Sequence, residues 1–189
     1  VINQGELRSS LGGQIALMGG SVRNEGLIDA PGGQVLLAAG SSIEILDSTT
    51  PNVSVKVRAT PGEVVNLGRL SSAGGRVDIH AGIVNQEGIV RADSLDRGPA
   101  GEVVMRASAN LNVASGSITA ADGGSGGKLT LEGDQSRIGG RVSARGAEGK
   151  GGQIKLPLVV DATGGSPQMV RGTLDHIDAL VDYRFSEVF

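Results

Sequence analysis

Three carboxylates fall at outward positions on what read as neighbouring short strands. They are Asp78 in Arg76-Val77-Asp78-Ile79-His80, Glu102 in Glu102-Val103-Val104-Met105-Arg106, and Glu132 in Lys128-Leu129-Thr130-Leu131-Glu132. Grouped in a groove with calcium or a basic residue, such carboxylates are what an enzyme acting on polysaccharides requires: one protonates the leaving group, another attacks or activates water. Here Arg76, Arg106 and Lys128 alternate with them, so cross-strand charge pairing on a solvated face accounts for the column without catalysis. His80, one of only two histidines, is expected as an outward surface residue rather than a ligand or base. Asp175, His176 and Asp178 do not share one face of a helix, so a charged helical surface is expected there instead of a metal site. Asp93, Asp96 and Arg97 sit together in a loop insert and are candidates for contact with a partner.

Other chemistries are excluded by what the chain lacks. It has no cysteine, which removes disulfides, thiolate zinc sites and cysteine nucleophiles. None of its Gly-Gly pairs is followed by the Lys-Ser/Thr of a phosphate loop, and spacing sets up no Ser/His/Asp triad. Thr119 and Thr130 are isolated, whereas ice binding needs regular outward threonine arrays. The sequence therefore assigns no catalytic residue, no cofactor and no metal.

The elements that carry these residues come from a repeated phrase, N-x-G-x-[Leu/Ile] followed by G-G-[Gln/Arg]-[Ile/Val]. It reads Asn3-Gln4-Gly5-Glu6-Leu7 with Gly12-Gly13-Gln14-Ile15, then Asn24-Glu25-Gly26-Leu27-Ile28 with Gly32-Gly33-Gln34-Val35, then Asn66-Leu67-Gly68-Arg69-Leu70 with Gly74-Gly75-Arg76-Val77. Val22, Asn24, Gly26, Ile28 and Ala30 alternate onto one face, and Val35, Leu37 and Ala39 do so after the glycine break. Period-two alternation signals half-buried strands. A helix fits poorly, because each glycine would weaken it by roughly 1 kcal/mol. Units this short and this regular are satisfied by stacking in parallel register, each strand pairing with its counterpart above and below. The expected fold is all-β: a right-handed parallel β-helix over residues 1–158. Asn3, Asn24 and Asn66 would meet at equivalent corners and form an amide ladder.

Later units begin at Gln86-Glu87-Gly88, Ser115-Gly116-Ser117 and Gly139-Gly140-Arg141. Their inserts, around 93–99, 121–125 and 145–150, should protrude along one edge. Residues 43–62 keep the alternation in Val53, Val55 and Val57 but lose the Asn and Gly-Gly marks, and read as a degenerate unit. This gives about seven coils, and a rod on the order of 35 Å at about 4.8 Å per layer.

Composition agrees. Of 189 residues, 32 are glycine, and aromatics make up 2%, which suits a narrow interior of Val, Ile, Leu and Ala layers. Collagen is excluded, since glycine does not recur every third residue. The net charge of −3, with mixed signs, no basic run and no aromatic platform, gives no nucleic-acid surface. No apolar run approaches a membrane span. No signal peptide is visible, and the chain opens inside a repeat, which reads as a fragment or mature segment of something longer.

Residues 159–189 break the pattern. All three aromatic residues, Tyr183, Phe185 and Phe189, lie here. Val170, Leu174, Ile177 and Val181 have helical spacing with Thr173 as N-cap, whereas Val181, Tyr183 and Phe185 alternate like a strand, so a short helix and then an extended segment are expected. Two roles stay open. The segment caps an open β-helix end, or its apolar residues dock on a neighbouring molecule or a longer chain.

The phrase V-x-N-x-G-x-I-x-A with G-G-x-V-x-L-x-A, best seen at 22–39 and 64–81, resembles the repeats of filamentous-haemagglutinin-like exoproteins, the large adhesins of bacterial two-partner secretion. That resemblance covers about residues 1–158. It implies a right-handed β-helix, export across the outer membrane by a dedicated barrel transporter, and a secreted or cell-surface adhesin that meets a host-cell or matrix receptor, whether protein or carbohydrate. The family's amino-terminal secretion motifs are not matched, so the resemblance implies a non-catalytic shaft segment rather than an export signal. The alternatives are a self-assembling fibre subunit joined through Tyr183, Phe185 and Phe189, and a polysaccharide-acting β-helix enzyme.

Overall fold

The computed structural model describes residues 1–47, 53–58, 62–94, 101–146 and 151–156. Within them every regular element is a strand, and the strands stack as a parallel β-helix. Three faces repeat in each coil.

The first face follows the Gly-Gly corner. It is formed by β3 (Gln14–Gly19), β6 (Gln34–Ala39), the first halves of β11 (Arg76–Gln86), β13 (Glu102–Val113) and β15 (Lys128–Ile138), and then β17 (Gln153–Lys155). The second face is β1 (Ile2–Asn3), β4 (Ser21–Asn24), β9 (Glu63–Asn66) and the second halves of β11, β13 and β15. A register shift between Ala81 and Ile83, and another between Ala107 and Asn110, mark the corner at which those long strands pass from one face to the next. The third face is β2 (Glu6–Arg8), β5 (Leu27–Asp29), β10 (Arg69–Ser71), β12 (Ile89–Arg91), β14 (Ile118–Ala120) and β16 (Arg141–Ser143).

Six coils therefore stack among the described residues. The expected degenerate coil at 43–62 is instead an antiparallel hairpin, β7 (Ser42–Asp47) with β8 (Ser54–Arg58), forming a two-stranded sheet of its own. Its alternating valines satisfy a hairpin as well as a coil, and without the glycine corners the chain has no means of turning in step with its neighbours. β9 continues the helix where the hairpin ends, pairing with β4 from Ser21↔Glu63 to Asn24↔Asn66.

The interior is a set of columns running along the stack. Register places Val35, Val77, Val103 and Leu129 in one column, and Leu37, Ile79, Met105 and Leu131 in another. All eight are completely buried. Such layers exclude water without large aromatic rings, as the composition requires. The corner glycines Gly12, Gly32 and Gly74 have φ of 74°, 63° and 68°, the left-handed region where a Cβ is disfavoured.

The amide ladder is present. Asn3 Nδ2 donates to Asn24 Oδ1 at 2.8 Å, and Asn24 Nδ2 donates to Asn66 Oδ1 at 2.9 Å. Gln86 takes the next rung, accepting from Asn66 Nδ2 at 2.7 Å and donating to the carbonyls of Gly88 and Ile118 at 3.0 and 3.2 Å. In the following coils the position is Val113 and then Ile138.

Candidate functional site

The outward side chains of the first face hold most of the charged chemistry. Register aligns Gln34, Arg76, Glu102, Lys128 and Gln153 in one row, and Leu36, Asp78, Val104, Thr130 and Lys155 in the next. Ala38, His80, Arg106 and Glu132 form a third row. The alternation read from the sequence thus puts these residues where it said.

Each carboxylate in the rows is paired. Asp78 accepts from Arg76 Nε at 2.7 Å and from Gln34 Nε2 at 2.6 Å. Glu102 lies 2.5 Å from Arg76 Nη1 and 3.5 Å from Lys128 Nζ. Glu132 lies 2.8 Å from Arg106 Nε and 2.6 Å from Lys155 Nζ. The hydrogen bond from Lys155, the largest influence, together with that from Arg106 holds the Glu132 carboxyl below its usual range against the opposing effect of partial burial. That is the reverse of what a general acid needs. Among the described residues no three His, Cys, Asp or Glu side chains gather as a metal site would require.

The face departs from expectation in one respect: part of it is covered. Leu36, Ala38 and Asp78 point outward, yet they are 1%, 0% and 2% exposed. The β7–β8 hairpin lies over them. Its anchor is a two-way bond: Gln34 Nε2 donates to the Val53 carbonyl at 2.9 Å, and Val53 N donates to Gln34 Oε1 at 2.6 Å. Between the hairpin and the sheet runs a groove of about 660 Å³, lined on one side by Leu46, Val55 and Val57 and on the other by His80, Arg106 and Glu132. His80 is consequently not an open surface residue. Its side chain is 14% exposed, with Nε2 3.9 Å from Asp78 Oδ1. Burial lowers its pKa below the ordinary 6.5, opposed by the nearby Asp78 charge.

Of the loop candidates, Asp93 is described and Asp96 and Arg97 lie outside the described residues. Asp93 Oδ1 accepts from Asp122 N at 2.9 Å, which ties its coil to the next. Asp122 Oδ1 in turn accepts from Ser143 Oγ and Arg145 N, both at 2.6 Å. Tyr183, Phe185 and Phe189, the expected helix with Thr173, and the Asp175-His176-Asp178 group all lie outside the described residues.

Sequence reasoning missed Gln34 and Asp122, both of which join separate elements. Gln34 had no distinguishing signal. Its strand's outward positions, Gln34, Leu36 and Ala38, carry no charge, but neither do Gln14, Ala16 and Met18 on the neighbouring β3, which are left partly open.

This arrangement defines an all-β solenoid whose polar side chains act mainly as ties along the stack. The sequence matches no known protein-family profile, and no curated protein matches it significantly. In fold the chain is similar to the HMW1 secretion domain from Haemophilus influenzae, with a TM-score of 0.61 at 22% identity. The alignment covers 83% of this chain and 62% of that one, so the chain spans less than two thirds of that domain's length. The likeness is one of fold.

Proposed function

We propose that the chain is a non-catalytic β-helical segment of a secreted bacterial exoprotein of the filamentous-haemagglutinin type. It acts as a shaft, crosses the outer membrane through a barrel transporter, and displays its edge loops, including Asp93, Asp96 and Arg97, to a cell or matrix receptor. The observation that carries this reading is the direction of the polar chemistry. The amide column, the Asp93–Asp122–Ser143 chain and the Arg76–Glu102 and Arg106–Glu132 pairs each link one coil to the next. A spacer needs that design, whereas an enzyme needs groups converging on one point.

The test places the chain between a two-partner export domain and an epitope tag. The tag reaches the medium or cell surface as efficiently as behind a known shaft segment of equal length, and the purified chain cleaves no polysaccharide. Retention of the tag in the periplasm, or sugar cleavage, overturns the reading. The aromatic segment 169–189 serves as a cap or as a joint between rods. Deleting it separates the two by light scattering, since loss of assembly with the fold intact marks a joint and unfolding marks a cap.

A second reading is favoured by the fold likeness to a domain described as a secretion domain. In it this chain itself takes part in export. Joined to a cleavable leader and co-produced with its outer-membrane transporter, the chain alone then reaches the medium, whereas a shaft segment does so only behind an export domain.

A further inference from the structure

We propose that the β7–β8 hairpin is an acid-released strap, docked on the outer face of the β-helix at neutral pH and lifted from it when His80 takes up a proton. The hairpin belongs to no other sheet, and an isolated two-stranded hairpin is marginally stable in water. Its order therefore depends on docking. Among the described residues docking rests on the Gln34–Val53 bond pair and on burial of Leu36 and Ala38.

His80 sits at the margin of that contact, on the groove wall opposite Val55 and Val57. Charged and titratable groups face the groove or His80 from four strands, while β7 lines it with Leu46. They are Arg76 and Asp78 on its own strand, Arg106 on β13, Glu132 and Asp134 on β15, and Lys56 on β8. Two of the three carboxylates are committed elsewhere. Asp78 is held by Arg76 and Gln34, and Glu132 by Arg106 and Lys155. At 3.9 Å, Asp78 Oδ1 is beyond hydrogen-bond reach of His80 Nε2. A proton on His80 thus adds a half-buried cation beside Arg76 and Arg106 without a new hydrogen-bonded partner.

The sign follows from burial, the largest influence on His80, which lowers its affinity for a proton in the docked state. Release of the hairpin exposes His80, and its affinity for a proton rises toward the ordinary value of 6.5. Released molecules therefore bind more protons in the window below that value, and docking weakens as pH falls through it. The Gln34–Val53 amide bonds do not titrate, so they set the strength of docking and His80 sets its pH dependence. Release uncovers the apolar row Leu36 and Ala38.

The absence of cysteine makes the test clean. Spin labels at Ser54→Cys on the hairpin and Glu87→Cys on the helix body, both exposed positions, report their separation in the full chain. The expected result is one short distance at pH 8 and a growing long-distance population between pH 6.5 and 5. The released-to-docked ratio changes by up to about tenfold per pH unit. His80→Gln, neutral at both ends of the range, keeps the short distance throughout, and Gln34→Ala shows the long population already at pH 8. Wild-type distances that are identical at pH 8 and 5 overturn the proposal. So does a His80→Gln chain that shifts as the wild type does, or a Gln34→Ala chain that stays docked at pH 8.

Discussion

Asn66 donates its Nδ2 hydrogen to Gln86 Oε1 at 2.7 Å, so a glutamine serves as the fourth rung of a column that asparagines begin. Asn24, Asn66 and Gln86 are fully buried, where an amide left unpaired is expensive. Replacing Asn24 by leucine strands a donor on Asn3 and an acceptor on Asn66 at once. The expected loss is about 2–4 kcal/mol, read as a shift of the urea midpoint. Asn3→Leu, at the open end of the column, should lose about half as much.

The column was legible in the sequence because N-x-G recurs with a period that stacking must satisfy. The Gln86 rung was hidden by a change of residue type, though Gln86-Glu87-Gly88 keeps the spacing. The hairpin was illegible for a physical reason. Alternation of Val53, Val55 and Val57 reports only that one side of a strand is apolar, and that side faces a coil interior or a groove equally well. The true signal was the missing glycine corner, which left residues 42–58 with no way to stay in step. Its consequence for His80 was hidden too, because an outward position is a surface position only when nothing lies on it.

Glycine at the N-x-G corner is demanded by the coil above. A Cβ on Gly68 would lie 2.1 Å from the Gly26 carbonyl oxygen, while one on Gly5 meets nothing within 4 Å. The corner bond Arg69 N to Gly26 O, 2.8 Å, runs through that same contact. Gly68→Ala should therefore destabilise by more than about 3 kcal/mol or prevent folding. Gly5→Ala should stay within about 1 kcal/mol. Thermal unfolding of the two variants separates a stacking requirement from a simple preference for glycine.

Thr119 occupies an interior position between Val90 and Val142 in the register of the third face. It is fully buried, and its Oγ1 has no hydrogen-bond partner. Valine keeps the shape and removes the unsatisfied hydroxyl, so Thr119→Val should stabilise the chain by about 1–2 kcal/mol. A denaturation midpoint that falls instead would show that the hydroxyl is bonded.

The outward ion pairs are not equal. Asp78 is 3% exposed at its side chain, and Arg76 is its nearest cation at 2.7 Å. Arg76→Met leaves that carboxylate covered and short of charge, with an expected loss of about 3 kcal/mol. Lys155 is 62% exposed and its partner Glu132 33%, so Lys155→Met should cost less than about 1 kcal/mol. The lowered pKa of Glu132 adds a pH signature. Its pairing stabilises the fold above the ordinary carboxylate pKa, and that contribution fades as pH falls through the depressed folded value. The difference between wild type and Lys155→Met should narrow in the same acid range.

The hairpin is an insertion at a junction that the helix makes elsewhere with a single residue. In the first coil Gly20 alone joins β3 to β4, and register equates Gly19 with Ala39 and Ser21 with Glu63. Removing residues 41–62 would leave Gly40 alone between Ala39 and Glu63, the same one-residue link. Gly40 N already donates to the Gly19 carbonyl at 2.9 Å, so the corner is in place before the deletion is made. The shortened chain should keep its β spectrum and its cooperative unfolding, because β4–β9, β5–β10 and β6–β11 pairing does not pass through the deleted residues. What it should lose is the cover over Leu36 and Ala38, seen as increased binding of a hydrophobic dye and lower solubility. A deletion variant that unfolds would mean instead that the hairpin helps hold the second coil to the third.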